Sequence, residues 1–173
     1  MRCSASVSPA TRHIVFGSGD RIAGTVYGTI IVMATIAAGA KAFEDRSWEL
    51  IAVVAATVVV LWVAHVYAHG LGESLQRGHR LDLGELLAIA QREASIVLAA
   101  IAPLAALTLG ALEVLRASSA LWLALGLGVA ALGVQGLRYA RLERLGLGGT
   151  AVTVGVNVLF GLAIVGIKAL VTH

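Results

Sequence analysis

An all-helical integral membrane bundle of five transmembrane helices, N-terminus in and C-terminus out, is the fold this sequence predicts. Three observations carry the prediction. Five uncharged stretches, Ile22–Ala40, Leu50–Gly72, Ala94–Leu112, Ala117–Leu137 and Leu145–Ile167, fill most of the 173 residues. Each runs for about 20 residues, which at ~1.5 Å per residue crosses a ~30 Å hydrocarbon layer. Mean hydropathy is +0.89, and charged residues make up 13% of the chain, about half the share usual in a soluble domain. Every Lys, Arg, Asp and Glu falls outside the five stretches. A soluble helix would show polar residues every three or four positions, and that polar face is missing here.

Taken in order, residues 1–21 form a short polar tail, cytoplasmic by the charge argument below, and residues 22–173 form a single membrane domain. No apolar run precedes Ile22, so the tail lacks the core of a cleavable signal peptide, and Cys3 lacks a lipoprotein lead-in. A single cysteine forms no intrachain disulfide. The first span, Ile22–Ala40, carries Gly24-x-x-x-Gly28, the small-xxx-small spacing that lets helix backbones approach. Tyr27 lies within two turns of its start, with Thr25 and Thr29 nearby. Such hydroxyls bond to a neighbouring helix or to their own backbone.

The connection between the second and third spans has structure of its own. Asp82-Leu83-Gly84-Glu85 fits a helix start, Asp82 capping and Glu85 reaching back. Leu83, Leu86, Leu87 and Ala90 follow at helical spacing, so the third helix is expected to begin near Leu83 and continue through Arg92 and Glu93 into the membrane. Pro103 removes one backbone hydrogen bond at mid-span and predicts a bend. The four-residue link Glu113–Arg116 makes the third and fourth spans antiparallel neighbours. Gly126, Gly128, Gly133, Gly136, Gly155 and Gly161 offer further close-packing surfaces, within one chain or between two. Gln135 and Asn157, the amides within the spans, are placed to pair across the fourth and fifth.

The basic residues alternate by segment. Arg2, Arg12 and Arg21, then Arg77, Arg80 and Arg92, then Arg138, Arg141 and Arg144 lie on one side; Lys41, Arg46, Arg116 and Lys168 lie on the other. The positive-inside rule places the N-terminus in the cytoplasm, and an odd number of spans puts the C-terminus outside. The net charge of +3 therefore reads as an orientation signal with a share for anionic lipid, not as a nucleic-acid surface. Arg far outnumbers Lys, and with abundant Ala, Gly, Leu and Val this suggests GC-rich bacterial coding and a plasma-membrane location.

Trp62-x-x-His65-x-x-x-His69-x-x-x-Glu73 is the most specific polar pattern. At 3.6 residues per turn, His65, His69 and Glu73 share one stripe of the second helix. Two imidazoles and a carboxylate so spaced can line a proton or ion path or bind a divalent metal. They can equally anchor the helix at the headgroup layer, alongside Trp62. Asp20-Arg21 and Arg92-Glu93 place opposite charges at the membrane surface, and pairing between the two clusters would tie the first and third helices together.

Arg21-x6-Gly28 in the first span followed by Trp62-x-x-His65 in the second resembles the endolysosomal potassium channel family and its bacterial homologues. In that family an Arg precedes a Phe-Ser-Asp-Gly motif, and a Trp-x-x-His follows on a later helix. The motif positions here read Thr25-Val26-Tyr27-Gly28, and the family has six spans per repeat against five. The likeness covers the first two spans, and it implies channel activity.

Nucleophile motifs, phosphate loops and dinucleotide fingerprints are missing, and Leu145-Gly146-Leu147-Gly148-Gly149 lacks the Lys-Ser/Thr of a P-loop. No cofactor or metal is expected. No charged side chain falls at the bilayer centre, which argues against an ion-coupled pump. The leading expectation is a non-enzymatic accessory or structural membrane component in contact with lipid, and with a second copy or another membrane protein. An ion channel or small permease using the first helix and the His65–His69–Glu73 stripe is the alternative. A membrane enzyme would have to draw its catalytic groups from that same stripe.

Overall fold

The computed structural model describes residues 9–43 and 46–171. It contains six helices and, among the described residues, no strand. They are α1 (Pro9–Gly39), α2 (Ser47–Arg77), α3 (Leu83–Arg92), α4 (Ala94–Ala111), α5 (Ala117–Leu142) and α6 (Leu147–Val171). Five are long and apolar enough to cross a membrane, α1 through its Gly19–Gly39 portion. The exception is the short α3. Of the tail calls, Arg2 and Cys3 lie outside the described residues, whereas Pro9 onward already belongs to α1.

The spans alternate in direction, so Arg21, Arg77, Arg92, Arg138 and Arg141 gather at one end of the bundle. Lys41, Arg46, Arg116 and Lys168 belong to the other. α1 runs through the centre, touching α2, α4, α5 and α6, and Thr29, Val32, Met33 and Ile36 on it are fully buried. On α4 the buried positions Ile96, Ala100, Pro103, Leu107 and Gly110 recur at three- and four-residue steps, the signature of one helix face turned to the core. α5 presents Ala120, Ala124, Gly128, Leu132, Gly136 and Ala140 on its buried face. These side chains are mostly small, so neighbouring backbones come close.

Glycines make the tightest crossings possible. A Cβ at Gly28 would fall 2.8 Å from the Ile96 carbonyl oxygen, and one at Gly24 would overlap Ser95 Oγ. The Gly24/Gly28 face of α1 thus rests on the first turns of α4. Gly136 approaches the α6 backbone equally closely, with Val154 Cα 3.0 Å from the position of its missing Cβ. Gly78 ends α2 in the left-handed conformation at φ 69°, its N–H donating to the Ser74 carbonyl, a backbone shape that glycine adopts without strain.

α3 forms as the sequence predicts at its start. Asp82 accepts from the Glu85 N–H at 2.7 Å and Glu85 accepts from the Asp82 N–H at 3.0 Å. Its end differs from expectation: the helix stops at Arg92, and α4 restarts at Ala94. At Glu93 the ladder tightens, because the Ile96 N–H bonds back only three residues, to the Glu93 carbonyl. The break lets Glu93 turn its side chain inward, where it is 7% exposed, while α3 keeps Leu83 and Leu87 outward and buries Ile89. Pro103 lies inside α4 without ending it. Its missing N–H leaves the Ala99 carbonyl without a ladder partner.

Candidate functional site

The polar stripe of α2 meets α1 on one side and the α3–α4 junction on the other. His65 donates from Nδ1 to the Leu61 carbonyl at 3.0 Å. A carbonyl only accepts, so the contact places a proton on Nδ1. The His65 ring stands 5.1 Å from the Tyr27 ring and 6.2 Å from the His69 ring. Trp62 donates from its indole N–H to the Ala90 carbonyl at 3.1 Å, pinning α3 against α2.

Farther along, the stripe divides between different partners. His69 Nδ1 lies 3.1 Å from Glu93 Oε1. Glu73 instead accepts from Arg92 at 2.7 Å and from Arg77 at 2.9 Å, and Arg77 also pairs with Glu85 of the α3 cap. Arg92 Nε is 3.7 Å from Glu93. The result is a connected chain of polar and charged groups, Glu85–Arg77–Glu73–Arg92–Glu93–His69, that ties the end of α2 to both ends of α3 and the start of α4.

Arg92 is held above the ordinary guanidinium value. The largest cause is its hydrogen bond to Glu73. Burial opposes it, and the nearby charges of Glu73, Glu93 and Asp20 reinforce it. A raised folded value means that the stabilisation is complete at every pH below the ordinary guanidinium range. It is lost only as pH rises beyond that range, so Arg92 contributes no titration near neutrality. Asp20 acts on Arg92 through this field, which couples the start of the first span to the α3–α4 junction.

The residues singled out by the sequence are therefore brought together unequally. Tyr27, His65 and His69 form a ladder, Tyr27 43% exposed, His65 half-buried and His69 exposed. Glu73 belongs to the arginine network and not to a histidine pair. Among the described residues, no group of three or more His, Cys, Asp or Glu side chains is arranged to hold a metal ion. Gln135 and Asn157 do not pair: the Asn157 amide donates to the Thr153 carbonyl of its own helix at 3.0 Å, and Gln135 Oε1 is buried without a partner. A polar side chain one turn from its own backbone acceptor spends its hydrogen bond locally before it reaches across. Ser95, also buried with an unpartnered Oγ, carries no sequence signal, since a serine near a helix start is ordinary.

Two cavities open at opposite ends of the bundle. One, of about 650 Å³, lies between α1, α4 and α5 at the arginine-rich end. The other, of about 530 Å³, is lined by residues that include Lys41, Trp122 and Lys168. Lys168 Nζ sits 4.1 Å over the Trp122 ring there. The two cavities share no lining residue. Compared with known proteins, the chain matches no protein family, no curated protein and no solved structure.

Proposed function

We propose that this chain is a non-enzymatic multi-pass membrane component whose role is assembly or support within the bilayer. The observation that carries the reading is the filled interior. Met33 and Ile36 on α1, with Leu125 and Leu132 on α5, are fully buried and lie along those helices between the two cavities. Nothing polar spans that stretch: Thr29 spends its hydroxyl on the Thr25 carbonyl at 2.7 Å. The charged network ties α2, α3 and α4 together, which is a holding function. The arginine-rich end faces the cytoplasm on the positive-inside argument, and a bacterial plasma membrane suits the composition. Ion flux through proteoliposomes containing the purified chain tests the reading. It expects no K⁺, Na⁺ or proton flux above empty vesicles; flux that changes in a His65→Ala/His69→Ala double variant would overturn it.

One observation favours a channel or small permease as the second reading. In the Tyr27–His65–His69 ladder, Tyr27 and His69 are exposed and His65 is half-buried, and lipid offers the Tyr27 hydroxyl no partner. A path along this ladder, with Glu73 at its arginine-rich end, needs a second copy of the chain to close it. Cross-linking through single cysteines beside Tyr27 and His65, scored together with flux, separates that assembly from a lone bundle.

A further inference from the structure

Two buried side-chain atoms, Ser95 Oγ and Gln135 Oε1, have no hydrogen-bond partner among the described residues. Both side chains are more than nine-tenths buried, Ser95 at 8% exposure and Gln135 at 7%. Both line the same 650 Å³ cavity between α1, α4 and α5. Buried polar groups are rarely left unpaired, so two on residues that line one space point to a polar guest.

The charge around the cavity names the guest's sign. Arg138 and Arg141 continue the Gln135 face of α5 at three-residue steps, and Arg21 joins them from α1. Neither Arg138 nor Arg141 has an acidic partner within the described residues. Three guanidinium groups with a serine hydroxyl form a donor set suited to a phosphate, which accepts bidentate arginine bonds. The rim adds a second requirement. Leu98 and Leu142 line the cavity and are themselves exposed on the outer surface of the bundle, where acyl chains run. Gln135 Oε1 only accepts, so the guest must also bring an O–H or N–H.

We propose that this cavity binds the phosphate of an anionic glycerophospholipid whose headgroup carries free hydroxyls, the chemistry of phosphatidylglycerol. The phosphodiester sits against Arg138, Arg141 and Arg21, and Ser95 donates to one of its oxygens. A headgroup hydroxyl donates to Gln135 Oε1, and the acyl chains leave past Leu98 and Leu142. Phosphatidylcholine carries the same phosphate but has no hydroxyl or N–H to offer Gln135, and its trimethylammonium group is repelled by the arginines.

Native mass spectrometry of the detergent-purified full chain, titrated with phosphatidylglycerol, phosphatidylcholine or inorganic phosphate, tests this. Phosphatidylglycerol is expected to bind on the order of tenfold more tightly than phosphatidylcholine, and Arg138→Ala/Arg141→Ala to abolish most of that difference. Arg80→Ala/Arg144→Ala removes two charges from the same end but outside the cavity, and is expected to leave binding within about twofold. Ser95→Ala removes one unpartnered buried atom, leaves Ser95 Cβ beside Gly24 and is expected to weaken phosphatidylglycerol binding several-fold while leaving the melting temperature unchanged. That variant keeps the test open if the double arginine variant fails to fold. Equal binding of the two lipids overturns the proposal, as does an equal loss in the Arg80/Arg144 control. Displacement of the lipid by millimolar inorganic phosphate overturns the lipid source and leaves a free-phosphate site.

Discussion

Arg92 donates to Glu73 at 2.7 Å and stands 3.7 Å from Glu93, so one side chain neutralises carboxylates from α2 and from the α3–α4 junction. Removing it leaves Glu93, the more enclosed of the two, with His69 alone. Breaking a fully buried pair costs about 3–5 kcal/mol, and the partial exposure of Arg92 and Glu73 lowers the expectation to about 2–4 kcal/mol for Arg92→Ala. Arg92→Lys keeps the charge but loses the fork, and should fall between the two. Thermal unfolding in one detergent or nanodisc checks both variants. An Arg92→Ala melting temperature equal to wild type would mean the network contributes nothing. Asp82 offers a smaller test of the same region: Asp82→Ala deletes a helix cap worth ~1 kcal/mol, and amide exchange at Glu85–Leu87 should speed up.

The helices themselves were mostly legible in the sequence. Their lengths and the exclusion of charge from them mark the spans, and the Asp82–Glu85 spacing marks the start of α3. The break at Glu93 was not legible, because no Gly or Pro stands there and Ala94 to Ala102 reads as unbroken helix. Its cause is tertiary: Glu93 turns in toward His69 and Arg92, and those partners are set by how α2 sits against α3. The same reason hid the division of the stripe, in which His69 goes to Glu93 and Glu73 to Arg92. Spacing along one helix says which residues share a face and nothing of what the face meets. The Gly24/Gly28 surface leads to a test between elements. Gly28→Val would drive two methyl groups into the Ile96 backbone, and overpacking of this kind typically costs about 1–3 kcal/mol. A matched Gly155→Val variant, where no neighbour lies within 4 Å of an added Cβ, should cost far less in the same unfolding assay.

Seen entire, the bundle carries large apolar side chains along the outside of its helices as well as inside. α6 illustrates it: Val152, Val156, Leu159, Phe160, Leu162 and Ile167 are all exposed. Leu159 lies midway along that helix and is 66% exposed. On a water-facing surface Leu159→Arg would change stability by less than ~0.5 kcal/mol. At the centre of a bilayer it costs about 2.5–3.5 kcal/mol on insertion scales. A glycosylation-mapping assay of α6 insertion distinguishes the two, and undiminished insertion of the variant would contradict a lipid-facing α6.

Gly128 on α5 lies directly beneath Met33 of α1, so close that a Cβ there would sit 2.5 Å from the methionine sulfur. The partners meet across roughly 100 residues of chain. At a synthesis rate of about 5–20 residues per second, the first helix is made roughly 5–20 s before the groove that receives Met33 exists. During that interval the helix that becomes the centre of the bundle stands with its inner face unsheltered, with Gly24 and Gly28 bare until α4 emerges. The nascent protein therefore depends on lipid or on the insertion machinery to hold α1 in place. Its assembly is completed from the C-terminal side, as α5 closes over Met33 and α6 then packs against α5 and α1.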